Sequence, residues 1–135
     1  MKALDTNVLV RFFVDDPDDD QAAKQRPAAL AAMSERAFIP VTVVLEMEWV
    51  LRGFYELPRR EISKALRALV GVEHLTLEDR DHVLMALDAY DKGLDFADAL
   101  HLSRSAGSSG LATFDQRLAK RARSLALTPE VELLG

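Results

Sequence analysis

The stretch that decides the fold is KALDTNVLVR, residues 2–11. Its apolar beginning predicts a short strand at about 2–5, and a helical pattern follows at roughly 6–14. Asp5 lies where the strand changes into the helix. A short strand that leads directly into a helix is typical of parallel α/β folds. The stretch therefore predicts a first parallel strand with a carboxylate at its carboxyl end.

The rest of the chain repeats this alternation of short strands and longer helices. Asp115 ends a second apolar run, residues 111–114, and opens another helix. The further strands are predicted at 37–40, 73–77, 110–114 and 131–134, and the further helices at 19–35, 42–55, 59–71, 79–92, 96–107 and 115–124. Thr42, which follows Pro40, is predicted to cap the helix at 42–55. The pattern predicts a parallel sheet covered by helices on both faces.

Length and composition indicate one globular domain. The chain has 135 residues, of which 49% are hydrophobic and 29% are charged, so it is long enough to bury a core. It has no cysteine, which excludes disulfides and zinc–thiolate sites. No apolar run approaches the roughly 18 residues of a membrane span or resembles a secretory signal. We therefore expect a cytoplasmic protein without membrane association.

The net charge of −5 argues against broad, non-specific coating of nucleic acid, because phosphate neutralisation dominates such binding. The acidic run at 15–20 lacks the spacing of a calcium loop and is interpreted as a solvated loop with a helix cap. The basic residues cluster at 59–60 and at 117–123. A local basic stripe therefore remains compatible with the acidic net charge.

Four carboxylates form the most informative constellation. Asp5 and Asp115 end strands that should share one edge of the sheet, where open α/β sheets bind ligands. Asp98 lies in the first turn of a predicted helix, and Glu46 lies inside another. Acids that converge without a basic partner repel one another, and a bound hard cation is the usual compensation. The pattern predicts a Mg²⁺ or Mn²⁺ site for phosphodiester chemistry.

Each acid also has a purely structural interpretation. Asp5 and Asp115 can be helix caps, and Asp95 can cap a helix that carries Asp98 in its third position. Helix geometry alone does not choose between Glu46 and Glu48. His101 follows Asp98 by three positions and can ligate a metal, although a packed or capped histidine is the commoner case.

The helix at 42–55 has a second apolar side that the predicted core does not explain. Leu45 and Trp49 lie near one another there. This side is either another packed surface within the domain or a face that binds a partner.

The four stretches together resemble the motifs of the PIN-domain family, in particular its VapC-type toxin ribonucleases. The matching stretches are residues 4–11, 40–51, 94–100 and 112–115. In the second motif the acid falls three positions before Trp49, which selects Glu46 over Glu48. The departures are His101, where an aliphatic residue is expected, and the basic segment after Asp115.

The resemblance implies a fold and an activity. The fold is a three-layer αβα PIN-like domain over residues 1–135, with a parallel sheet of about five strands in the order 3-2-1-4-5. The activity is that of a Mg²⁺- or Mn²⁺-dependent endoribonuclease, the toxin of a VapBC-type toxin–antitoxin pair. The resemblance further implies a homodimer, an RNA substrate and a cognate VapB-type antitoxin.

The resemblance also assigns roles to residues. Asp5 and Asp98 are expected to be the direct metal ligands, and Glu46 and Asp115 to complete the catalytic acids. Four neighbours are expected to support these acids, namely Thr6, Asn7, Asp95 and Thr113. Our own hypothesis, beyond the resemblance, is that contacts with the second subunit or the antitoxin involve Trp49, Leu45 and the helix at about 59–71.

Two other function classes compete with the nuclease. A non-catalytic PIN-like module could use the fold to bind protein or RNA, although it would have no reason to keep a costly acidic cluster. A receiver-type phosphoacceptor would need paired acids after the first strand and a lysine after the last. The chain offers a single Asp5 and no suitable lysine.

Overall fold

The computed structural model describes all residues, 1–135, and contains five strands and seven helices. The strands are β1 (Lys2–Ala3), β2 (Ala37–Ile39), β3 (Leu75–Leu77), β4 (Leu111–Thr113) and β5 (Val131–Leu133). The helices are α1 (Thr6–Phe13), α2 (Asp20–Met33), α3 (Val41–Gly53), α4 (Arg59–Val70), α5 (Arg80–Asp91), α6 (Phe96–Ser103) and α7 (Gln116–Ser124). Every predicted element is therefore present. The chain divides into two compact units, Met1–Arg80 and Asp81–Gly135.

The first unit contains a three-stranded parallel sheet with β2 in the centre. Ala37 pairs with Lys2 on one side and with Leu75 on the other. The buried side chains alternate along β2 and β3, as expected for strands that pack one face against helices. The fully buried core of this unit comes from α1, β2, α3 and α4, and includes Leu9, Ile39, Met47, Leu51, Ile62, Leu66 and Leu69.

The second unit contains a two-stranded parallel sheet, β4 with β5, in which Leu111 pairs with Val131. Its buried residues lie mainly on α5, α6 and α7. Tyr90 and Phe96 pack edge to face with ring centroids 5.5 Å apart, a favourable arrangement for aromatic rings. This pair fixes the end of α5 against the start of α6, the helix that carries Asp98.

The mixed α/β class with parallel strands is confirmed, and the strand order within each sheet agrees with the predicted 3-2-1 and 4-5 segments. The backbone hydrogen bonds form two sheets, one of three strands and one of two, rather than one ladder of five strands. β1 has only two residues, since the chain turns at Asp5 to start α1. Such a short strand offers few backbone groups for a second ladder.

The prediction that Thr42 caps α3 is wrong. The helix begins one residue earlier, and Pro40 occupies the cap position without a side-chain hydrogen bond. Thr42 therefore lies inside the first turn, where its hydroxyl cannot act as an N-cap. Glu78, just after β3, accepts a hydrogen bond from the Val41 backbone N–H at 2.9 Å and takes the place of the missing cap.

The predicted end of the sixth helix is also too late. α6 ends at Ser103, and the glycine- and serine-rich turn at 105–110 separates it from β4. No helix of the chain combines the length and the apolar character that crossing a membrane requires.

Candidate functional site

Asp5 is the N-cap of α1, and its Oδ1 accepts a hydrogen bond from the Thr6 backbone N–H at 2.8 Å. The structural interpretation of this acid is therefore confirmed. The cap uses only one of the two carboxylate oxygens, and the residue is exposed. Capping leaves Asp5 able to bind a ligand through its second oxygen.

Thr6 connects Asp5 with Glu46 inside the first unit. Its backbone N–H donates to Asp5, and its hydroxyl donates to Oε1 of Glu46, 40 residues further along the chain. Thr6 itself is 3% exposed, so its position is fixed by packing. The carboxylate of Glu46, on α3, is exposed. One buried threonine therefore hydrogen-bonds to both Asp5 and Glu46, and both of these acids are exposed to solvent.

Glu48 has a different environment from Glu46. Its side chain is 2% exposed and accepts hydrogen bonds from Arg52, one of them from Nε at 2.9 Å. This pairing with the half-exposed Arg52 compensates the charge of the buried Glu48 and occupies its carboxylate oxygens. The spacing of four residues between the two was a signal that the sequence contained.

Asn7, predicted to support the acids, is exposed and forms no side-chain hydrogen bond with Asp5 or Glu46. It lies instead beside Val8 and Arg11 in a shallow groove between α1 and α2. Its predicted role therefore stays a prediction.

The second unit carries the other acids, and backbone hydrogen bonds position them. Asp95 caps α6, where its Oδ2 accepts from the Asp98 N–H at 3.2 Å. Asp115 caps α7 through Oδ1, which accepts from the Leu118 N–H at 3.1 Å. The hydroxyl oxygen of Thr113 accepts from the Asp115 N–H at 3.0 Å. Asp98 lies half-buried in the first turn of α6.

The electrostatics of the second unit single out Asp98. Burial raises the pKa of its carboxyl, and the negative charges of Asp95 and Asp115 raise that pKa further, whereas His101 lowers it. Asp95 and Asp115 are therefore each close enough to Asp98 to repel its negative charge. Repulsion of this kind is relieved when a cation binds.

The donor chemistry of both units suits a hard divalent cation. No group of three or more His, Cys, Asp or Glu side chains is arranged to hold a metal ion. The available donors are carboxylate oxygens, which Mg²⁺ and Mn²⁺ prefer. His101, near the end of α6, is exposed.

The second apolar side of α3, which carries Leu45 and Trp49, is partly exposed to solvent. Trp49 is 61% exposed and Phe54, which follows the helix, is 68% exposed. Leu45 is half-buried. Large exposed aromatic side chains are enriched at protein interfaces.

Comparisons with known proteins agree with these observations. The family model described as PIN domain matches residues 2–124. The chain is 26% identical over 92 residues to the VapC ribonuclease of Aquifex aeolicus (strain VF5), which is 68% of this chain and 68% of that protein. No solved structure matches the chain significantly. The family match covers the strands and helices that carry all four acids, and the chain belongs to the PIN-domain family.

Proposed function

We propose that the protein is a metal-dependent endoribonuclease that hydrolyses RNA phosphodiester bonds, and that it is the toxin of a VapBC-type toxin–antitoxin pair. The proposal rests chiefly on one observation: carboxylates that form no salt bridge with lysine or arginine stand at helix starts in both units of a PIN-domain chain. In the second unit, burial raises the pKa of Asp98, and the charges of Asp95 and Asp115 raise it further. The similarity to a protein named VapC ribonuclease supports the choice of RNA as the substrate.

The proposal assigns the acids of both units to one reaction. Asp5 and Asp98 would hold a Mg²⁺ or Mn²⁺ ion, and Glu46 and Asp115 would complete the set of catalytic acids. Such an ion, when bound, neutralises charge that develops on the scissile phosphate and acidifies a bound water. We propose that residues 1–135 act as a single domain for this purpose.

The protein's own groups would orient the reactants. Thr6 holds Oε1 of Glu46, which leaves Oε2 to orient the attacking water or to accept its proton. Asp95 and Thr113 bind the backbone N–H groups of Asp98 and Asp115, and so fix the directions in which these two carboxylates point. Asn7, exposed beside Asp5, would contact the substrate or the ion's hydration shell.

The biological assembly is part of the same proposal. We propose a cytoplasmic homodimer that a VapB-type antitoxin inhibits by placing a basic side chain among the acids, since a cationic group complements an acidic site. Trp49, with Leu45 and α4, would lie in the contact with the second subunit or with the antitoxin. The 61% exposure of Trp49 supports this assignment.

The test is cleavage of a panel of structured RNAs by the purified protein with Mg²⁺, with Mn²⁺ and with EDTA. Asp5→Asn and Asp98→Asn are each expected to abolish cleavage without unfolding the protein, because each would remove a metal ligand. Asp18→Asn is the matched control, since Asp18 is an exposed acid of the 15–20 loop outside the site. Full activity of either site variant would contradict the proposal.

The non-catalytic binding module is the competing function. It predicts neither cleavage nor binding of Mg²⁺ or Mn²⁺ by the folded wild-type protein. Metal-dependent cleavage that is lost in both site variants and kept in Asp18→Asn would exclude it.

A further inference from the structure

A basic groove lies along α7 in the second unit. Its volume is about 390 Å³. It is lined by Lys92, Arg117, Lys120, Arg121, Ser124 and Leu125. Four of these six residues are cations and none is an acid, although the chain as a whole carries a net charge of −5.

The regular geometry of α7 creates this surface. Arg117, Lys120, Arg121 and Ser124 are separated by three or four positions, so they share one face of the helix. The opposite side is buried through Leu118, Ala119 and Ala122. Arg123, on the same helix, lies about 110° away from the centre of the groove face, at 100° per residue.

Most of these cations form no salt bridge and no side-chain hydrogen bond within the protein. Arg121 donates a hydrogen bond from Nη1 to the Gly93 carbonyl oxygen at 2.9 Å, which ties α7 to the end of α5. Lys92, Arg117 and Lys120 form no salt bridge and no side-chain hydrogen bond. A cluster of unneutralised cations on a largely acidic protein is the usual signature of an anion-binding surface.

We propose that this groove, termed the α7 groove, binds phosphates of the RNA backbone next to the bond that is cut. This inference rests on the proposed nuclease function and names where its substrate lies. The same helix begins at Asp115, the proposed catalytic acid, and Arg117 follows two positions later. Phosphates held along α7 would therefore lie on the helix that Asp115 caps.

The length of the groove fits a short run of phosphates. Arg117 and Ser124 are seven residues apart, which corresponds to about 10 Å along a helix. A helical strand carries one phosphate per roughly 3.4 Å of axis, so the groove would span roughly two to three phosphates. The lining contains no aromatic side chain on which a base could stack, and we infer contacts to the backbone rather than to bases.

The test is the salt dependence of RNA binding, measured apart from cleavage. The fluorescence anisotropy of a short labelled oligouridylate is titrated with the full-length protein in EDTA at several salt concentrations. Arg117→Gln combined with Lys120→Gln removes two charges from the groove. Arg123→Gln combined with Lys24→Gln removes two exposed charges outside it and serves as the matched control.

The groove variant is expected to bind roughly tenfold more weakly at low salt. Its slope of log affinity against log salt should be shallower by about 1.4, the value for two lost phosphate contacts on a single strand. The control variant should keep the wild-type slope. An unchanged slope in the groove variant, or an equal change in both variants, would overturn the inference.

An acidic protein partner is the alternative occupant of the groove. Polyglutamate that competes through the groove residues, combined with an unchanged RNA slope in the groove variant, would establish that alternative and overturn RNA binding. Groove-dependent RNA binding by a wild-type protein that never cuts RNA would support the groove and reject the nuclease. Metal-dependent RNA cleavage, combined with RNA binding that is unchanged in the groove variant, would support the nuclease and reject RNA binding by the groove.

Discussion

At the scale of single residues, Thr6 connects two acids from distant parts of the sequence. Its backbone holds Asp5 and its hydroxyl holds Glu46, while its own side chain is buried. Because a threonine at this position serves both acids, the loss of its hydroxyl should disturb Glu46 without removing either carboxylate.

Thr6→Val is predicted to lower the rate of RNA cleavage by roughly 10- to 100-fold, the usual cost of losing a group that orients a metal-site carboxylate. Thr6→Ser keeps the hydroxyl and should retain most of the activity. Single-turnover rates, with thermal melting of both variants as the control for folding, measure the effect. Equal activity of the two variants would show that the hydroxyl has no positioning role.

Asp98 should make the metal-free protein less stable as the pH rises. Its pKa is raised in the folded state by burial and by Asp95 and Asp115, with His101 acting in the opposite direction. Between the ordinary pKa and the raised one, the folded protein binds more protons than the unfolded chain. The free energy of unfolding therefore falls across this interval, and the penalty is fully present above the raised pKa.

Asp98→Asn removes this penalty and is predicted to raise the melting temperature at neutral pH in EDTA, while it abolishes cleavage. The advantage should disappear below the ordinary pKa of an aspartate. Melting curves of wild type and variant across acidic and neutral pH test this. A variant that is less stable than wild type at neutral pH would contradict the proposed repulsion.

The family motif identified Glu46 as the second acid, and the four-residue spacing of Glu48 and Arg52 was a further signal in the sequence. Glu46 and Glu48 lie on either side of the apolar stripe of α3, and helix geometry does not separate them. The structure distinguishes them because Arg52 pairs with Glu48. The exposure of Glu46 and its bond with Thr6 depend on the packing of α1 against α3, which the sequence does not reveal.

At the scale of elements, helix caps determine most of the local structure. Three acids of the motifs are helix N-caps, namely Asp5, Asp95 and Asp115. Those helix starts were predictable because aspartate is a common N-cap residue. The start of α3 was not, because its cap comes from Glu78 in a different part of the chain. The division of the five strands into two hydrogen-bonded sheets was also not predicted.

Gly93 is predicted to be the glycine least tolerant of substitution. Its φ is +105°, and a Cβ atom would lie 2.2 Å from Nη1 of Arg121. Gly93→Ala should lower the free energy of unfolding by about 1–2 kcal/mol, the cost of a left-handed conformation for a residue with a side chain. Gly107→Ala is the control, because a Cβ there meets no atom within 4 Å. Urea unfolding of both variants provides the comparison, and equal stabilities would contradict the prediction.

At the scale of the whole molecule, the 61% exposure of Trp49 supports the proposed protein contact on α3. Trp49→Ala is predicted to weaken self-association or antitoxin binding by tenfold or more, because a buried tryptophan at an interface commonly contributes about 2 kcal/mol or more. Sedimentation velocity and titration calorimetry measure the two events.

Met85→Ala serves as the control for that variant, since Met85 is an exposed apolar residue, 47% accessible, on α5. If Trp49→Ala changes neither assembly nor antitoxin affinity, Trp49 does not belong to an interface. An equal effect of Met85→Ala would mean that the contact is not specific to α3.

We propose that Asp5 and Asp98 both contribute to metal binding. Calorimetric titration with Mn²⁺ of the wild type, of Asp5→Asn and of Asp98→Asn tests it most directly. We predict that the wild type binds Mn²⁺ and that each variant loses at least about tenfold in affinity. Unchanged Mn²⁺ affinity in either variant, with the protein folded, would contradict the claim.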